Sequence, residues 1–336
     1  MPNYTVPGTK VPKNKLCAAD PETLERLEAP FVEARIVELD LGLALQEEAA
    51  IPDSRYLKLL HRHLFQDVYE WAGHSRDETV RLSDRTIATE PSLRKPDGKF
   101  FLPGDMIPDA LAALDEHLKA SGYLRNLPAD DFIKKAGDLL VRINNIHPFR
   151  EGNGRTQRAF LETIGRQAGH ELDFESISGE RMVVASIAGH NADTGPMRRV
   201  IADALDPDRI RELKEVQNFL TNQNFQWMDL YVATAAPGLS YQGQVAAVNK
   251  TNFVLREDDN RIIVGRIADV EGPVVGKQRL AFKLPPAESE LPFAGKASPD
   301  EVLARAKEMF GDPAPDLRSR PMPKRRQKKN DGPEIE

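Results

Sequence analysis

Residues 129–168 constrain the fold more than any other part of the chain. Between 131 and 146, apolar side chains fall at Phe132, Ile133, Ala136, Leu139, Leu140, Ile143 and Ile146, the spacing of one helix face. A second helical pattern begins with Ala159, Phe160 and Ile164, and Gly169 is its natural stop. Twelve mostly polar or small residues, His147 to Arg158, reading HPFREGNGRTQR, join the two. A titratable imidazole, a carboxylate, a Gly-Asn-Gly turn and two arginines therefore occupy one loop and the first turn of the adjoining helix.

That placement has an electrostatic consequence. Arg155 and Arg158 are three apart and share a face of the first turn. Cations there oppose the helix dipole, which favours anions by a few tenths to about 1 kcal/mol. A bound polyphosphate removes the conflict. Main-chain N–H groups left open by Gly152 and Gly154 would cradle one phosphate, and the two guanidinium groups would hold others as forked donors. Glu151 is suited to bring Mg²⁺, which binds through carboxylates and substrate phosphates. His147 remains as a general base near neutral pH. Singly, a His before Pro is a turn residue, an i,i+3 arginine pair a solvated face and Gly-Asn-Gly a turn. Together they read as a nucleotide–Mg²⁺ site with its own base.

The twelve residues match the signature of Fic proteins that transfer AMP, and the chain resembles that family over residues 1–205. The segment from His61 to Gly73, HRHLFQDVYEWAG, with Arg76 just beyond it, is similar to the family's upstream helix and Trp-Ala-Gly turn. Residues 4–9 (YTVPGT) with 13–16 (KNKL) resemble the N-terminal arm of Fic toxins and Bartonella effectors. The resemblance implies that His147 deprotonates the target hydroxyl, that Phe149 anchors the loop and that Glu151 holds Mg²⁺ between the α- and β-phosphates. It implies an anion hole of Gly152, Asn153 and Gly154, with the Asn153 side chain near the α-phosphate. Arg155 would take the β-phosphate of ATP and Arg158 the γ-phosphate. Both glycines are present, which by the same resemblance favours AMP transfer over phosphorylation. His61 and His63, two apart, do not share a helix face, so His61 is read as structural rather than as a metal ligand, and Trp71 as core.

Residues 85–90 and 99–103 are short β-prone runs around the turn signal Lys95-Pro96-Asp97-Gly98. They suggest a hairpin. In Fic proteins such a flap, here Lys95, Pro96, Asp97, Gly98, Lys99 and Phe100, pairs with an extended segment of the target protein by strand addition. The family's inhibitory pattern, Ser/Thr-x-x-x-Glu-Gly/Asn, has no match: Glu151 belongs to the active loop and Glu271 has Ile267 four residues before it. The resemblance then implies a separate small antitoxin masking Arg158.

The expected fold is mainly α: a Fic-type helical bundle with a β-hairpin flap, then a small OB-like β-barrel module and a disordered basic tail. The corresponding division is a Fic domain at 1–205, a helical linker at 206–235, the β module at 236–285 and a mostly disordered charged tail at 286–336. Helical patterns cover roughly 20–49, 53–71, 105–122, 129–146, 154–168, 178–190, 195–205 and 209–232; β-like runs fall at 243–248, 252–255, 261–265 and 277–282. A net charge of −6 gives no reason to expect direct nucleic-acid binding. The single cysteine, Cys17, fits a reducing compartment. No apolar run is long enough for a membrane span. Together with the resemblance to bacterial Fic proteins, these point to the bacterial cytoplasm. The run from Arg318 to Lys329 carries seven Lys/Arg in twelve residues, the character of a type IV secretion signal.

Three functions compete. The first is a bacterial toxin that transfers AMP to a Ser, Thr or Tyr hydroxyl of the ATPase subunits of DNA gyrase and topoisomerase IV. The second is a type IV secreted effector modifying host GTPases. The third is an inactive Fic scaffold that binds a partner through its β module.

Overall fold

The computed structural model describes residues 4–45, 51–94 and 101–286. Eight helices lead into a five-stranded sheet among these residues. The helices are α1 (Pro21–Asp40), α2 (Ser54–Phe65), α3 (Ile107–Ala120), α4 (Ala129–Ile146), α5 (Asn153–Ala168), α6 (Gly179–His190), α7 (Gly195–Leu205) and α8 (Pro207–Asn222). A short hairpin, β1 (Val80–Arg81) with β2 (Ile87–Ala88), lies between α2 and α3. The C-terminal strands are β3 (Val232–Thr234), β4 (Ser240–Val248), β5 (Asn252–Glu257), β6 (Ile262–Arg266) and β7 (Arg279–Lys283). No helix among the described residues is long and apolar enough to cross a membrane.

The centre of the bundle is α4, which touches α3, α5, α6 and α7. Its apolar face, Phe132, Ala136, Leu139, Leu140 and Ile143, is buried, as the sequence spacing requires. Two of its neighbours approach closely. Gly137 lies against the Arg198 backbone and Gly189 of α6 against Val141. Leu57, Leu60, Leu64 and Phe65 of α2 and Phe160, Leu161 and Ile164 of α5 complete the core beneath the polar loop.

Several elements depart from the sequence reading. α1 ends at Asp40 rather than near 49, because Gly42 adopts φ +65° and the chain turns back with Leu43 N–H bonded to the Glu38 carbonyl. α2 stops at Phe65, where the chain bends to bury Tyr69 and Trp71. Within the 85–90 run, residues 87–88 pair back onto β1, because Asp84 accepts from both the Thr86 N–H and hydroxyl and closes a tight turn, while residues 99–100 of the other expected run lie outside the described residues. Asp206 caps α8 through Asp208 and Arg209 N–H groups with Pro207 at the first position, so the helix starts early and ends at Asn222. Val232, expected to end that helix, opens β3 instead.

The sheet order is β3-β6-β5-β4-β7, with β3 parallel to β6 and the other pairings antiparallel. A register shift between Val245 and Ala247 bends β4. The ladders form an open series, and no β3–β7 pairing closes a barrel among the described residues. Beyond β3, the Gly238 N–H ties the adjoining loop to the Leu284 carbonyl. Tyr241, Val245, Phe253, Leu255, Ile263 and Phe282 form the core of the sheet. From residue 287 onward, the expected basic tail lies outside the described residues.

The helices and the sheet meet at one buried charged node. Asp203 of α7 is 1% exposed, pairs with Arg181 of α6 at 2.7 Å and accepts from Arg209 of α8 at 2.8 Å. It also accepts from the Thr234 hydroxyl of β3 at 2.7 Å and the Thr234 N–H at 3.2 Å. Arg266 of β6 adds a bond to the buried Glu212 of α8 at 2.8 Å.

Candidate active site

The loop between α4 and α5 is held from within and from outside. His147 caps α4 in the left-handed region, φ +48°, and its N–H still bonds the Ile143 carbonyl at 3.0 Å. The Phe149 ring is buried and stacks on His61 of α2, 3.9 Å between centroids. Asn153 bonds Phe149 through both ends of its amide: its Oδ1 accepts from the N–H at 2.9 Å and its Nδ2 donates to the carbonyl at 2.7 Å. The amide closes the loop, and at this position the second Nδ2–H and the main-chain N–H remain for a ligand.

His61 supports the loop as the sequence reading held, and its role is specific. Gly73 N–H donates to Nδ1 at 2.8 Å, which assigns the proton to Nε2, and Nε2 then donates to the Glu151 carbonyl at 3.0 Å. Complete burial lowers its pKa to about 3, so the ring stays neutral.

Arg76 went unassigned beyond its place in the resemblance, yet it ties the loop to the neighbouring segments. Its guanidinium, 3% exposed as a residue, donates Nε to the His147 carbonyl at 2.9 Å and Nη1 to the Pro91 carbonyl at 3.2 Å; Nη2 reaches the Leu102 carbonyl. Its main-chain N–H bonds the Pro148 carbonyl at 2.7 Å. Pro91 and Leu102 flank the expected flap. Lys95, Pro96, Asp97, Gly98, Lys99 and Phe100 themselves lie outside the described residues, but Phe101 N–H bonds the Leu93 carbonyl at 2.9 Å. The Phe101 ring stacks on His147 at 3.7 Å and 11°.

The start of α5 has the character of an anion site. Gly152 occupies the N-cap at φ +79° and provides no side-chain cap. The N–H groups of Asn153, Gly154 and Arg155 have no acceptor among the described residues, while Thr156 N–H closes onto the Gly152 carbonyl at 3.1 Å. Three donors therefore point outward at the positive end of a helix dipole. A Cβ at Gly154 would meet only Arg158 Nη1 at 3.6 Å, which leaves that approach open. At Gly152 a Cβ would lie 2.4 Å from the Phe65 ring. Gly152→Ala therefore adds overpacking to left-handed strain and is expected to cost about 2–4 kcal/mol, readable as a lowered denaturation midpoint.

The two arginines are not equivalent. Arg155 stacks over Phe65 at 4.7 Å and pairs through Nη2 with the buried carboxylate of Glu28 on α1. Arg158 has no hydrogen bond or ion pair among the described residues, and desolvation lowers its pKa against the opposing pull of Glu162. Glu162, one turn on, is a poor partner. Desolvation pushes its carboxyl up to about 7, with Asp40 and Asp173 adding, so it is about half neutral at that pH. Glu151 keeps 48% of its side chain exposed to the cleft, although desolvation of the carboxylate raises its pKa. No group of three or more His, Cys, Asp and Glu residues among those described could hold a metal. A Mg²⁺ at Glu151 fits only as a shared ion, completed by substrate phosphates.

The chain is similar to known proteins. Residues 52–164 match the Fic/DOC family model. A protein adenylyltransferase of Bartonella henselae is 34% identical over 258 residues, covering 75% of this chain and 46% of the relative. The chain thus spans about half the length of that relative. The structure of the type IV secretion system effector protein BepA is similar with a TM-score of 0.76 at 31% identity, over 85% of this chain and 97% of that one. BepC of Bartonella tribocorum with bound AMPPNP is similar at 33% identity and TM-score 0.56, over 61% and 97%.

Proposed function

From the premise that the chain belongs to the Fic/DOC family, we propose that it is a protein adenylyltransferase moving AMP from Mg-ATP to a Ser, Thr or Tyr hydroxyl of another protein. The observation that carries this is the start of α5: three N–H groups and Arg158, all without a partner among the described residues, in a helix joined by one short loop to His147. The outward N–H groups and Arg158 bind and orient the triphosphate. The target hydroxyl oxygen attacks the α-phosphorus, its proton passes to His147, and the bond to the departing pyrophosphate breaks. Glu151 would hold Mg²⁺, which when bound supplies charge neutralisation to the phosphates. The AMPPNP-bound relative supports ATP as the nucleotide.

ATP labelled at the α-phosphate, incubated with the protein and a bacterial lysate, should yield a labelled protein that is absent with the His147→Ala variant. Label that survives in the variant, or none with wild type in any lysate, would sink the assignment. The ATPase subunits of gyrase and topoisomerase IV are the first targets in this reading, with a separate antitoxin masking Arg158 and the flap pairing with the target. A second reading, an effector exported by a type IV system that modifies host GTPases, is favoured by the likeness to BepA, which extends over the sheet as well as the helices. Bacterial and host lysates run side by side separate the two.

A further inference from the structure

We propose that Glu28 is a positioning residue for Arg155, a role that rests on the AMP-transfer reading above. Glu28 lies on α1, 5% exposed, far in sequence from the nucleotide loop. One carboxylate oxygen pairs with Arg155 Nη2 and the other accepts from the Tyr69 hydroxyl. Burial, then the adjacent Glu28 carboxylate, push the Tyr69 phenol above its ordinary pKa, so Tyr69 remains a donor. Phe65 supports the guanidinium from its face. The guanidinium is thus fixed by an edge contact and a face contact, with its remaining N–H groups left for a ligand.

The alternative is that Glu28 competes with phosphate for Arg155. Burial decides between them. Leaving Glu28 without its cation would strand a buried carboxylate, which is strongly unfavourable. Arg155 therefore stays on Glu28 when nucleotide binds and meets the phosphate with its free edge. What Glu28 contributes is the angle of the fork, and a displacement of about 1 Å in such a group can cost a hundredfold in rate. It does not contribute affinity, because its negative charge opposes that of the phosphates.

The test is a split between rate and binding. Glu28→Gln removes the charge. Glu28→Asp keeps it and withdraws the carboxylate by one methylene. Both should lower kcat for AMP transfer about tenfold or more, while KM for ATP is unchanged or, for Gln, lower. Structural damage would instead weaken nucleotide binding together with rate, and a competing restraint would raise both; either pattern in variants that melt cooperatively overturns the proposal. In an Arg155→Ala background the Glu28 exchanges should have no further effect on kcat, and an additive loss would overturn it too. Wild-type protein that transfers no AMP would indict the functional reading, whereas an active wild type matched in kcat by both Glu28 variants would indict Glu28 alone.

Discussion

Replacing His147 with alanine should lower AMP transfer by about 10²–10⁴-fold, the range of a general base removed from a proton-transfer step. The substitution also removes the stack of the Phe101 ring on the imidazole, so the melting of the variant is to be compared with wild type. The loop is held by Phe149 on His61, by the Asn153 amide and by Arg76 on the His147 main-chain carbonyl, none of which uses the imidazole. Nucleotide affinity should therefore remain near wild type, because the outward N–H groups and Arg158 are untouched. His147 adopts φ +48°, which alanine tolerates less well than asparagine. His147→Asn is the strain-matched control and should be equally inactive. Transfer within a few-fold of wild type in both variants would remove His147 as the base.

Asp203→Ala should destabilise the protein by about 3–5 kcal/mol, the cost of removing one partner from a buried ion pair. The substitution strands Arg181, 3% exposed, and leaves the Thr234 N–H and hydroxyl without their acceptor. Urea titration monitored by circular dichroism reads the loss; a change below about 1 kcal/mol would place the node among surface pairs in worth. The same group sets part of the acid stability. Burial alone would raise the Asp203 pKa, but Arg181 and Arg209, with the bonds from Arg209 and Thr234, hold it below the ordinary value. Its contribution is therefore complete above the unfolded pKa of about 3.9 and is lost as pH falls through the lower folded value. His61 acts earlier. The unfolded imidazole takes up a proton below its ordinary 6.5, while the folded ring resists to about 3. Stability should accordingly begin to fall below about pH 6.5, and a flat profile down to pH 4 would contradict the buried neutral ring.

Helices with a clean apolar period were legible from the chain alone. The pattern at 129–146 coincides with α4, and those at 178–190 and 195–205 meet α6 and α7 within one residue. The failures share a cause. The helical pattern read over 209–232 ends in the structure at Asn222, and Val232 instead opens β3, because β6 offers a parallel edge. Residues 87–88 paired backwards because one side chain, Asp84, closed a turn that composition did not flag. Propensity and period report local preference, and a partner supplied by distant chain overrides them.

The sequence by itself determined the chemistry: a base, a carboxylate, a glycine-lined helix start and two arginines are contiguous from 147 to 158, so their meeting needs no tertiary contact. Only the tertiary structure decided how these groups are divided in use. It tied the Asn153 amide to the Phe149 main chain and gave Arg155, but not Arg158, an ion pair with a carboxylate among the described residues. It also brought Arg76 to the carbonyl of His147, 71 residues away. Those assignments depend on burial, which makes an unpaired charge or carbonyl costly. Burial belongs to the packed chain and has no counterpart in the local pattern of residues.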